Sequence, residues 1–207
     1  MYLTIHILLY ILSYTYTMPR INNDKFYKSA LKKYGATAKG LNWHDEYSQV
    51  RRFEVILEMI KDDIKGASII DAGCGFGDFY EFVKDYKLSY TGYDVVAENV
   101  KIAKERTNQK IVLKDILKDS LEEADFYIAS GSMNILSRFE TFLFIERCFE
   151  MSKKGFVFNL PYGKDESKSF NYFLPQEIKH FTKKFECEVT TKSGYLPNDF
   201  TVFLKRI

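Results

Sequence analysis

The sequence predicts an α/β fold, in which helices pack on a mostly parallel sheet with one antiparallel strand near the carboxyl terminus. Short apolar runs typical of buried parallel strands alternate with segments of helical periodicity through the middle of the chain. A glycine-rich turn joins the first of these strands to a helix, and two strand-like segments end the chain as a hairpin. The 207 residues suffice for one such domain with a full core.

Residues 1–17 form an apolar leader that we predict to lie outside the fold. The leader is shorter than the roughly 20 residues that a helix needs to span a bilayer, and it lacks the basic residues that begin a signal peptide. We interpret it as a non-native upstream start, and a membrane anchor is the alternative. Residues 18–66 are predicted to be N-terminal helices that form a lid, and residues 67–207 the main domain.

Two helices are predicted before the first strand. Residues 24–34 have helical spacing and end at Gly35, because glycine commonly stops a helix. A longer helix is predicted over residues 44–64, where apolar residues follow the 3–4 spacing of one buried face. These apolar residues are Val50, Phe53, Ile56, Leu57 and Ile60.

The stretch 68–94 predicts a strand–turn–helix–strand unit. An apolar run ends at Asp71 and enters a turn that contains the alternate glycines Gly73, Gly75 and Gly77. A helical segment follows, and a second apolar strand ends at another acid. Because glycine adopts positive φ without a steric penalty, this turn can bring its backbone close to a ligand.

The second acid, Asp94, lies 23 positions beyond Asp71, where folds of this kind place a carboxylate on ribose hydroxyls. A dinucleotide fingerprint needs a glycine at position 78, but the sequence has Asp78, whose carboxylate would repel a pyrophosphate. The pattern D-x-G-x-G-x-G therefore favours an adenosine-bearing cofactor that has a cationic centre and no phosphate. A tight strand–helix turn without a ligand is the alternative.

Strands and helices continue to alternate toward the carboxyl terminus. The predicted elements are a helix over 97–106, strands over 111–113 and 124–129, a helix over 139–151, a strand over 155–160, a helix opened by Pro175, and hairpin strands over 186–191 and 201–204. Parallel strands joined by helices require right-handed crossovers, and ligands bind at the carboxyl ends of such strands.

This arrangement resembles the class I S-adenosylmethionine (SAM) methyltransferases, whose nucleotide turn matches the D-x-G-x-G-x-G pattern. A further likeness to a small, uncharacterised bacterial subgroup covers most of residues 25–205. It rests on Tyr34-Gly35, Trp43, Ser48-Gln49-x-x-Arg52-Phe53 and Tyr195-Leu196-Pro197-Asn198-Asp199-Phe200-Thr201. The resemblance implies a Rossmann-like sandwich with a seven-stranded sheet, SAM as the cofactor, methyl transfer as the activity, and residues 67–207 as the SAM-binding domain.

The resemblance also implies roles for individual residues. Asp71 and the glycine turn match the motif that cradles the methionine and ribose parts of SAM, and Asp94 matches the ribose carboxylate. Asp115 and its apolar neighbour Ile116 match the adenine position, and Ser130 matches the position beside the sulfonium. The complete predicted cofactor set is Asp71, Gly73, Cys74, Gly75, Gly77, Asp94, Val95, Asp115, Ile116, Ser130 and Arg52.

Arg52 and three aromatic residues are predicted on the methionine and substrate side. Several class I enzymes pair an upstream arginine with the SAM carboxylate, and Arg52 matches that position; a surface arginine on an amphipathic helix is the alternative. Trp43, Tyr162 and Tyr172 are predicted to line the substrate pocket, since aromatic residues make up 16% of the chain. Core or hinge positions are the alternative for these rings.

The sequence indicates neither a metal site nor a catalytic base. Cys74, Cys148 and Cys187 are too few and too scattered for a zinc site or a disulfide framework, and they fit a cytoplasmic location. No residue is singled out as catalytic, because methyl transfer from a sulfonium can proceed through positioning and desolvation.

The predicted acceptor is a small molecule. A net charge of +2 offers little attraction for nucleic acid, and the run N-L-P-Y at 159–162 lacks the second-place proline of the N-P-P-Y motif of nucleic-acid amino-methylating enzymes. No stable membrane association is expected unless residues 1–17 are native. An RNA or protein methyltransferase and a non-catalytic SAM-binding subunit remain alternatives, while Asp78 argues against an NAD-dependent oxidoreductase.

Overall fold

The computed structural model describes residues 23–41, 45–164 and 170–207. The apolar leader and Trp43 lie outside the described residues, so the predictions for them stay predictions. Before the first strand, the chain forms the two expected helices. A short 3-10 turn at Ala38–Leu41 follows the first of them.

Seven strands form one sheet in the order β3-β2-β1-β4-β5-β7-β6. All pairs are parallel except those of β7, which runs antiparallel to both β5 and β6. The predicted mostly parallel sheet with one antiparallel strand near the carboxyl terminus is therefore confirmed. The strands are β1 (Ser68–Ala72), β2 (Ser89–Asp94), β3 (Lys110–Leu113), β4 (Ala124–Ala129), β5 (Ser152–Pro161), β6 (Cys187–Ser193) and β7 (Asp199–Arg206).

Six α-helices lie in the described part of the chain. They are α1 (Asn23–Tyr34), α2 (Glu46–Ile60), α3 (Asp78–Val83), α4 (Ala97–Thr107), α5 (Arg138–Glu150) and α6 (Pro175–Phe181). None of these helices is both long and apolar enough to cross a membrane.

Helix α2 is shorter than the predicted span 44–64. It begins after Asp45, whose side chain accepts a hydrogen bond of 2.7 Å from the Ser48 amide and so caps the first turn. It ends at Ile60, because the chain must turn before β1, and Gly66 takes a φ of +72° on that path. Its buried face matches the predicted apolar stripe at Phe53 and Ile56.

The sheet is covered on both faces. Helices α2, α3 and α4 cover one face, through buried residues such as Phe53, Phe79 and Val100. Helices α5 and α6 cover the other face, through residues such as Ile145 and Ile178. This three-layer arrangement follows from strands that are apolar on both sides, since each face must be buried.

The strand register brings the predicted acids to one edge of the sheet. Asp71 on β1 pairs with Gly92 on β2 and with Ile128 on β4. The carboxyl ends of these neighbouring strands, at Asp94 and just before Ser130, therefore lie side by side. A site can form there because each strand leaves the sheet through a loop at this edge.

Candidate active site

The glycine turn after β1 folds back on the end of β2. The amides of Gly73 and Cys74 both donate to the carbonyl oxygen of Tyr93, at 2.8 and 2.9 Å. The φ angles of Gly73, Gly75 and Gly77 are +94°, +54° and +80°, in the left-handed region that favours glycine. The sequence pattern thus corresponds to a real backbone requirement.

Each glycine of the turn also touches a different part of the protein. An added Cβ at Gly73 would lie 2.3 Å from the Cβ of Ser132, which follows β4. At Gly75 it would lie 2.6 Å from Leu41 Cδ1, and at Gly77 2.4 Å from a methyl group of Thr107. Side chains at these positions would therefore force the surrounding elements apart.

Asp94 is buried at the end of β2, with 8% of its surface exposed. Its Oδ2 accepts from the Gly75 amide at 2.9 Å, and its Oδ1 accepts from the Val96 amide at 2.8 Å and from Asn99 Nδ2 at 3.3 Å. Burial raises the pKa of Asp94 to about 6, although these hydrogen bonds oppose the shift. Asp94 thus links β2 to the glycine turn.

Asp71 is more deeply buried, with 3% exposed. It accepts a hydrogen bond of 2.7 Å from the Tyr90 hydroxyl, on the neighbouring strand. Burial raises the pKa of Asp71 to about 7, and the negative charges of Asp94 and Asp78 contribute to the rise. Charge is therefore in surplus here, and a cation would relieve it.

Asp78 lies at the start of α3 and is held by two side chains. Gln49 Nε2 donates to its Oδ2 at 3.0 Å, and Arg106 Nη1 contacts its Oδ1 at 2.8 Å. Arg106 also donates to the carbonyl oxygen of Phe76 at 3.1 Å. Asp78 thereby connects α2 and α4 to the glycine turn, which the sequence pattern did not reveal.

A cavity opens at this edge of the sheet and collects most of the predicted cofactor residues. Those in its wall are Asp71, Gly73, Cys74, Gly75, Asp94, Val95, Asp115, Ile116 and Ser130. Leu41, Gln49, Phe53 and Ser132 line it as well. The predicted residues therefore come together from four strand ends.

Four predicted residues lie outside this wall, as far as the described chain shows. Gly77 instead starts helix α3. Arg52 pairs with Asp199 of β7, which it contacts through Nε at 2.5 Å. Tyr162 follows β5 and is 42% exposed, and Tyr172 is half-buried, with its carbonyl oxygen accepting from Arg138 at 3.0 Å. Roles for these side chains in cofactor or substrate binding stay predictions.

The loop after β3 forms the far end of the cavity. Asp115 Oδ1 accepts from the Leu117 amide at 2.9 Å, and its Oδ2 contacts Lys118 Nζ at 2.9 Å. Ile116 is buried against the core, whereas Val95 is partly exposed. A carboxylate beside apolar side chains is a suitable wall for a planar base with an amino group.

The segment after β4 completes the opposite end. Ser130 Oγ accepts from Asn159 Nδ2 at 3.3 Å, and the Gly131 amide donates to Asn159 Oδ1 at 2.9 Å. The hydroxyl of Ser132 is buried and makes no hydrogen bond within the described chain. Because buried hydroxyls normally have a partner, Ser132 indicates a polar ligand group at this end.

The sequence profile of the nodulation protein S (NodS) family matches residues 33–136, which is half of the chain. The chain belongs to the nodulation protein S family. Its relatives are SAM-dependent class I methyltransferases, which confirms the predicted resemblance. The matched segment contains the glycine turn, Asp94 and Asp115, and SAM is the cofactor that this family uses.

One curated relative is the mitochondrial ubiquinone biosynthesis O-methyltransferase of Mus musculus. It is 32% identical over 103 residues, which cover 44% of this chain and 27% of the mouse enzyme. The match therefore spans less than a third of that relative's length.

Two solved structures show the same fold. Magnesium protoporphyrin IX methyltransferase from Synechocystis PCC 6803, with bound SAM, has a TM-score of 0.65 at 13% identity, covering 93% of this chain and 88% of that one. N-methyltransferase NodS from Bradyrhizobium japonicum WM9 has a TM-score of 0.60 at 16% identity, covering 79% and 99%. These similarities confirm the predicted Rossmann-like sandwich.

The residues around the cavity fit SAM. Buried carboxylates at Asp71 and Asp94 suit a ligand that carries positive charge, because opposite charges stabilise the ionised form of each acid. The positive φ angles of Gly73 and Gly75 let the backbone of the turn form part of the cavity wall. The unpaired hydroxyl of Ser132 lies in the same wall and can bind a polar group.

Proposed function

We propose that this protein transfers the methyl group of SAM to a small-molecule acceptor. The surplus of negative charge around the glycine turn is the observation that carries the proposal. Asp71 and Asp94 lie in the wall of the same cavity, and burial, with a smaller contribution from the charges of Asp94 and Asp78, raises the pKa of Asp71. A dinucleotide would add the negative charge of its pyrophosphate, whereas SAM brings a positively charged sulfonium.

Three side chains are proposed to hold the two ends of the adenosine part of SAM. Asp94 would accept hydrogen bonds from the ribose hydroxyls, and Asp115 would accept one from the adenine amino group. Ile116 would pack against the base. The support is their common position in the wall of one cavity, at the ends of the neighbouring strands β2 and β3.

Methyl transfer requires the chain mainly to position the cofactor and the acceptor and to exclude water from the site. SAM supplies a methyl group on a sulfonium: the acceptor nucleophile would form a bond to the methyl carbon as the carbon–sulfur bond breaks, and S-adenosylhomocysteine would leave with the electron pair. Ser130 and Ser132 lie at the end of the cavity where we place the sulfonium, and Phe53 and Leu136 provide apolar cover. Excluding water there strengthens the electrostatic attraction between cofactor and wall.

We propose that residues 18–66 act as a lid over the cofactor. Leu41 packs against Gly75, and Gln49 on α2 donates to Asp78 at the start of α3. Both residues also line the cavity. A segment that precedes the main domain thus contributes one wall of the site, which supports a covering role.

The small-molecule acceptor rests on charge and on the relatives. The net charge of +2 provides little attraction for polyphosphates. Two of the three similar enzymes described above act, by their names, in ubiquinone biosynthesis and on magnesium protoporphyrin IX. We infer that the acceptor approaches past Tyr162, whose ring is exposed at the end of β5. We also infer a cytoplasmic location, because Cys74, Cys148 and Cys187 are all free thiols.

The test is transfer of radiolabel from SAM to fractions of host lysate. We expect the protein to bind SAM and not NAD in calorimetry, and to label a small-molecule fraction that nuclease and protease leave unchanged. Tyr162→Ala should abolish labelling but retain SAM binding. Tyr86→Ala is the matched control, because Tyr86 is similarly exposed, at 40%, on the turn that follows α3.

Failure to bind SAM would refute the cofactor assignment. Label that disappears on nuclease or protease treatment would instead identify RNA or protein as the acceptor and refute the small-molecule proposal. Recovery of the native protein in the membrane fraction of the same lysate would contradict the cytoplasmic location.

A further inference from the structure

A third buried carboxylate lies outside the wall of the cofactor cavity. Asp199, the first residue of β7, has 2% of its surface exposed. It accepts from Arg52 Nε at 2.5 Å and from the Tyr195 hydroxyl at 2.5 Å. The Tyr195 hydroxyl also lies 2.7 Å from Thr201 Oγ1. These four side chains form the hairpin cluster.

The hairpin cluster joins parts of the chain that are far apart in sequence. Arg52 belongs to α2, and Asp199 lies 147 positions later. The guanidinium of Arg52 is largely buried and contacts Asp199 through two nitrogens. Because a buried charge is stable only when it is paired and hydrogen-bonded, this contact fixes α2 to the start of β7.

One route leads from the hairpin cluster to the cavity through the sheet. Thr201 on β7 pairs with Asn159 on β5, and antiparallel partners have neighbouring side chains. Asn159 is buried, and its amide contacts both Ser130 Oγ and the Gly131 amide. Ser130 lines the cavity. The cluster therefore lies one strand away from that wall.

A second route leads through α2. Gln49 is one turn before Arg52, and Phe53 is the residue after it, and both line the cavity. Gln49 donates to Asp78 at the glycine turn. A shift of α2 at Arg52 would therefore move the two side chains with which this helix contributes to the cavity wall.

We infer that Asp199 and Arg52 are positioning residues for the cofactor site: their ion pair holds α2 where Gln49 and Phe53 complete the cavity wall. Arg52 acts through Asp199 rather than as a ligand of the SAM carboxylate. The inference rests on the proposed function only in taking SAM and its products as the ligands of the cavity. Burial raises the pKa of Asp199 even though Arg52 lowers it, so the pair is held in a desolvated setting.

The test compares two ligands in calorimetry. S-adenosylhomocysteine has the amino-acid carboxylate, and methylthioadenosine lacks it. We expect Asp199→Asn and Arg52→Gln each to lower the affinity for both ligands on the order of tenfold. The double variant should bind about as weakly as either single variant, because the two residues act as one unit.

A matched control breaks another contact between α2 and the hairpin. Lys192 Nζ on β6 contacts Glu58 Oε2 on α2 at 2.5 Å, but this pair is much more exposed to solvent than the pair of Arg52 with Asp199. Lys192→Gln should leave both affinities unchanged. Hydrogen exchange of the α2 amides adds a readout that needs no ligand: exchange should rise in Asp199→Asn and stay unchanged in Lys192→Gln.

Three results would overturn the inference. One is a loss in Arg52→Gln that is confined to S-adenosylhomocysteine, which would make Arg52 a direct ligand of the carboxylate. Another is wild-type affinity for both ligands in Asp199→Asn. The third is unchanged α2 exchange in that variant. Wild-type protein that binds neither ligand would instead refute the proposed function.

If the charge variants do not fold, Tyr195→Phe provides a milder test. It removes one hydrogen-bond donor from Asp199 and leaves the pair with Arg52 in place. Weakening of both ligands by a common factor supports positioning, and unchanged affinities for both overturn it.

Discussion

The molecule contains two groups of buried carboxylates at the same edge of the sheet, and they differ in their partners. Asp71 and Asp94, beside the glycine turn, accept hydrogen bonds from neutral groups of the described chain: a phenol, two amides and an asparagine. Asp199, in the hairpin cluster, accepts from the guanidinium of Arg52. Both groups are desolvated, but of these three acids only Asp199 is paired with a cationic side chain among the described residues.

This difference indicates that Asp71 and Asp94, rather than Asp199, are suited to bind a positively charged ligand. Burial without a cation raises the pKa of Asp94 to about 6 and that of Asp71 to about 7. A positively charged ligand would therefore stabilise the ionised form of both acids. Asp199 already has its counter-charge and can serve to hold α2 in place. Buried acids thus differ in function according to whether the fold supplies their cation.

The largest effect is expected at Asp94. Asp94→Ala should weaken SAM on the order of 100-fold, because hydrogen bonds to a charged group contribute about 1.5–3 kcal/mol each to stability. Calorimetry with SAM and with S-adenosylhomocysteine measures the loss. Asp94→Asn is the control, since its amide oxygen can still accept from the Gly75 or Val96 amide and preserve part of the turn.

Wild-type affinity for SAM in Asp94→Ala would show that Asp94 does not bind the cofactor. A loss in Asp94→Asn as large as in Asp94→Ala would assign the effect to the negative charge. Recovery in Asp94→Asn would assign it to the support of the glycine turn. Either result sharpens the comparison with Asp199, whose charge is already neutralised within the protein.

The site around the glycine turn was predictable because its determinants are local. Alternate glycines reflect positive φ angles within five residues, and Asp94 follows from the length of one strand–helix–strand unit. The mostly parallel sheet and its antiparallel strand followed from the alternation of strands and helices together with the family resemblance, whereas the order of the strands was not predicted.

The hairpin cluster was not predictable in the same way. The sequence suggested that Arg52 binds the cofactor carboxylate, but it could not show that Asp199, 147 positions later, contacts the same guanidinium. The contact between Gln49 and Asp78 was also hidden, since nothing in either local pattern specifies how α2 lies against α3. Helix packing depends on many side chains at once, which a local pattern does not encode.

The next prediction concerns the stability lost when a glycine is replaced beside the cofactor cavity or beside the hairpin cluster. Gly73 and Gly194 both have positive φ, +94° and +81°, and Gly194 directly precedes Tyr195 of the hairpin cluster. An added Cβ would meet Ser132 at 2.3 Å from Gly73, but nothing within 4 Å of Gly194. Gly73→Ala should therefore lower the free energy of unfolding by about 2–4 kcal/mol, and Gly194→Ala by about 1 kcal/mol.

Denaturant unfolding of the two variants measures this difference. Backbone strain is common to both substitutions, so the excess loss in Gly73→Ala reports the close contact with Ser132. Equal losses would show that the turn after β1 has room for a methyl group beside Ser132.

The last effect concerns pH. The folded pKa values of Asp71 and Asp94, about 7 and about 6, exceed the value near 4 of an unfolded chain. The folded protein therefore binds more protons than the unfolded chain between about pH 4 and 7, and its free energy of unfolding falls as the pH rises through that window. Without ligand, the loss between pH 5 and 7 should be about 3 kcal/mol, or about 6–12 °C in melting temperature.

The affinity for SAM should have the opposite pH dependence to the stability, through Asp71 and Asp94. SAM favours the ionised form of Asp71 and Asp94, so its affinity should rise from pH 5 to pH 7, whereas uncharged methylthioadenosine should gain little. Asp71→Asn keeps an acceptor for the Tyr90 hydroxyl and should flatten both dependences. Melting curves and calorimetry at pH 5, 6 and 7 test these two expectations. Stability that rises with pH, or equal pH dependence of the affinities for both ligands, would show that Asp71 and Asp94 already have a counter-charge within the protein, as Asp199 does.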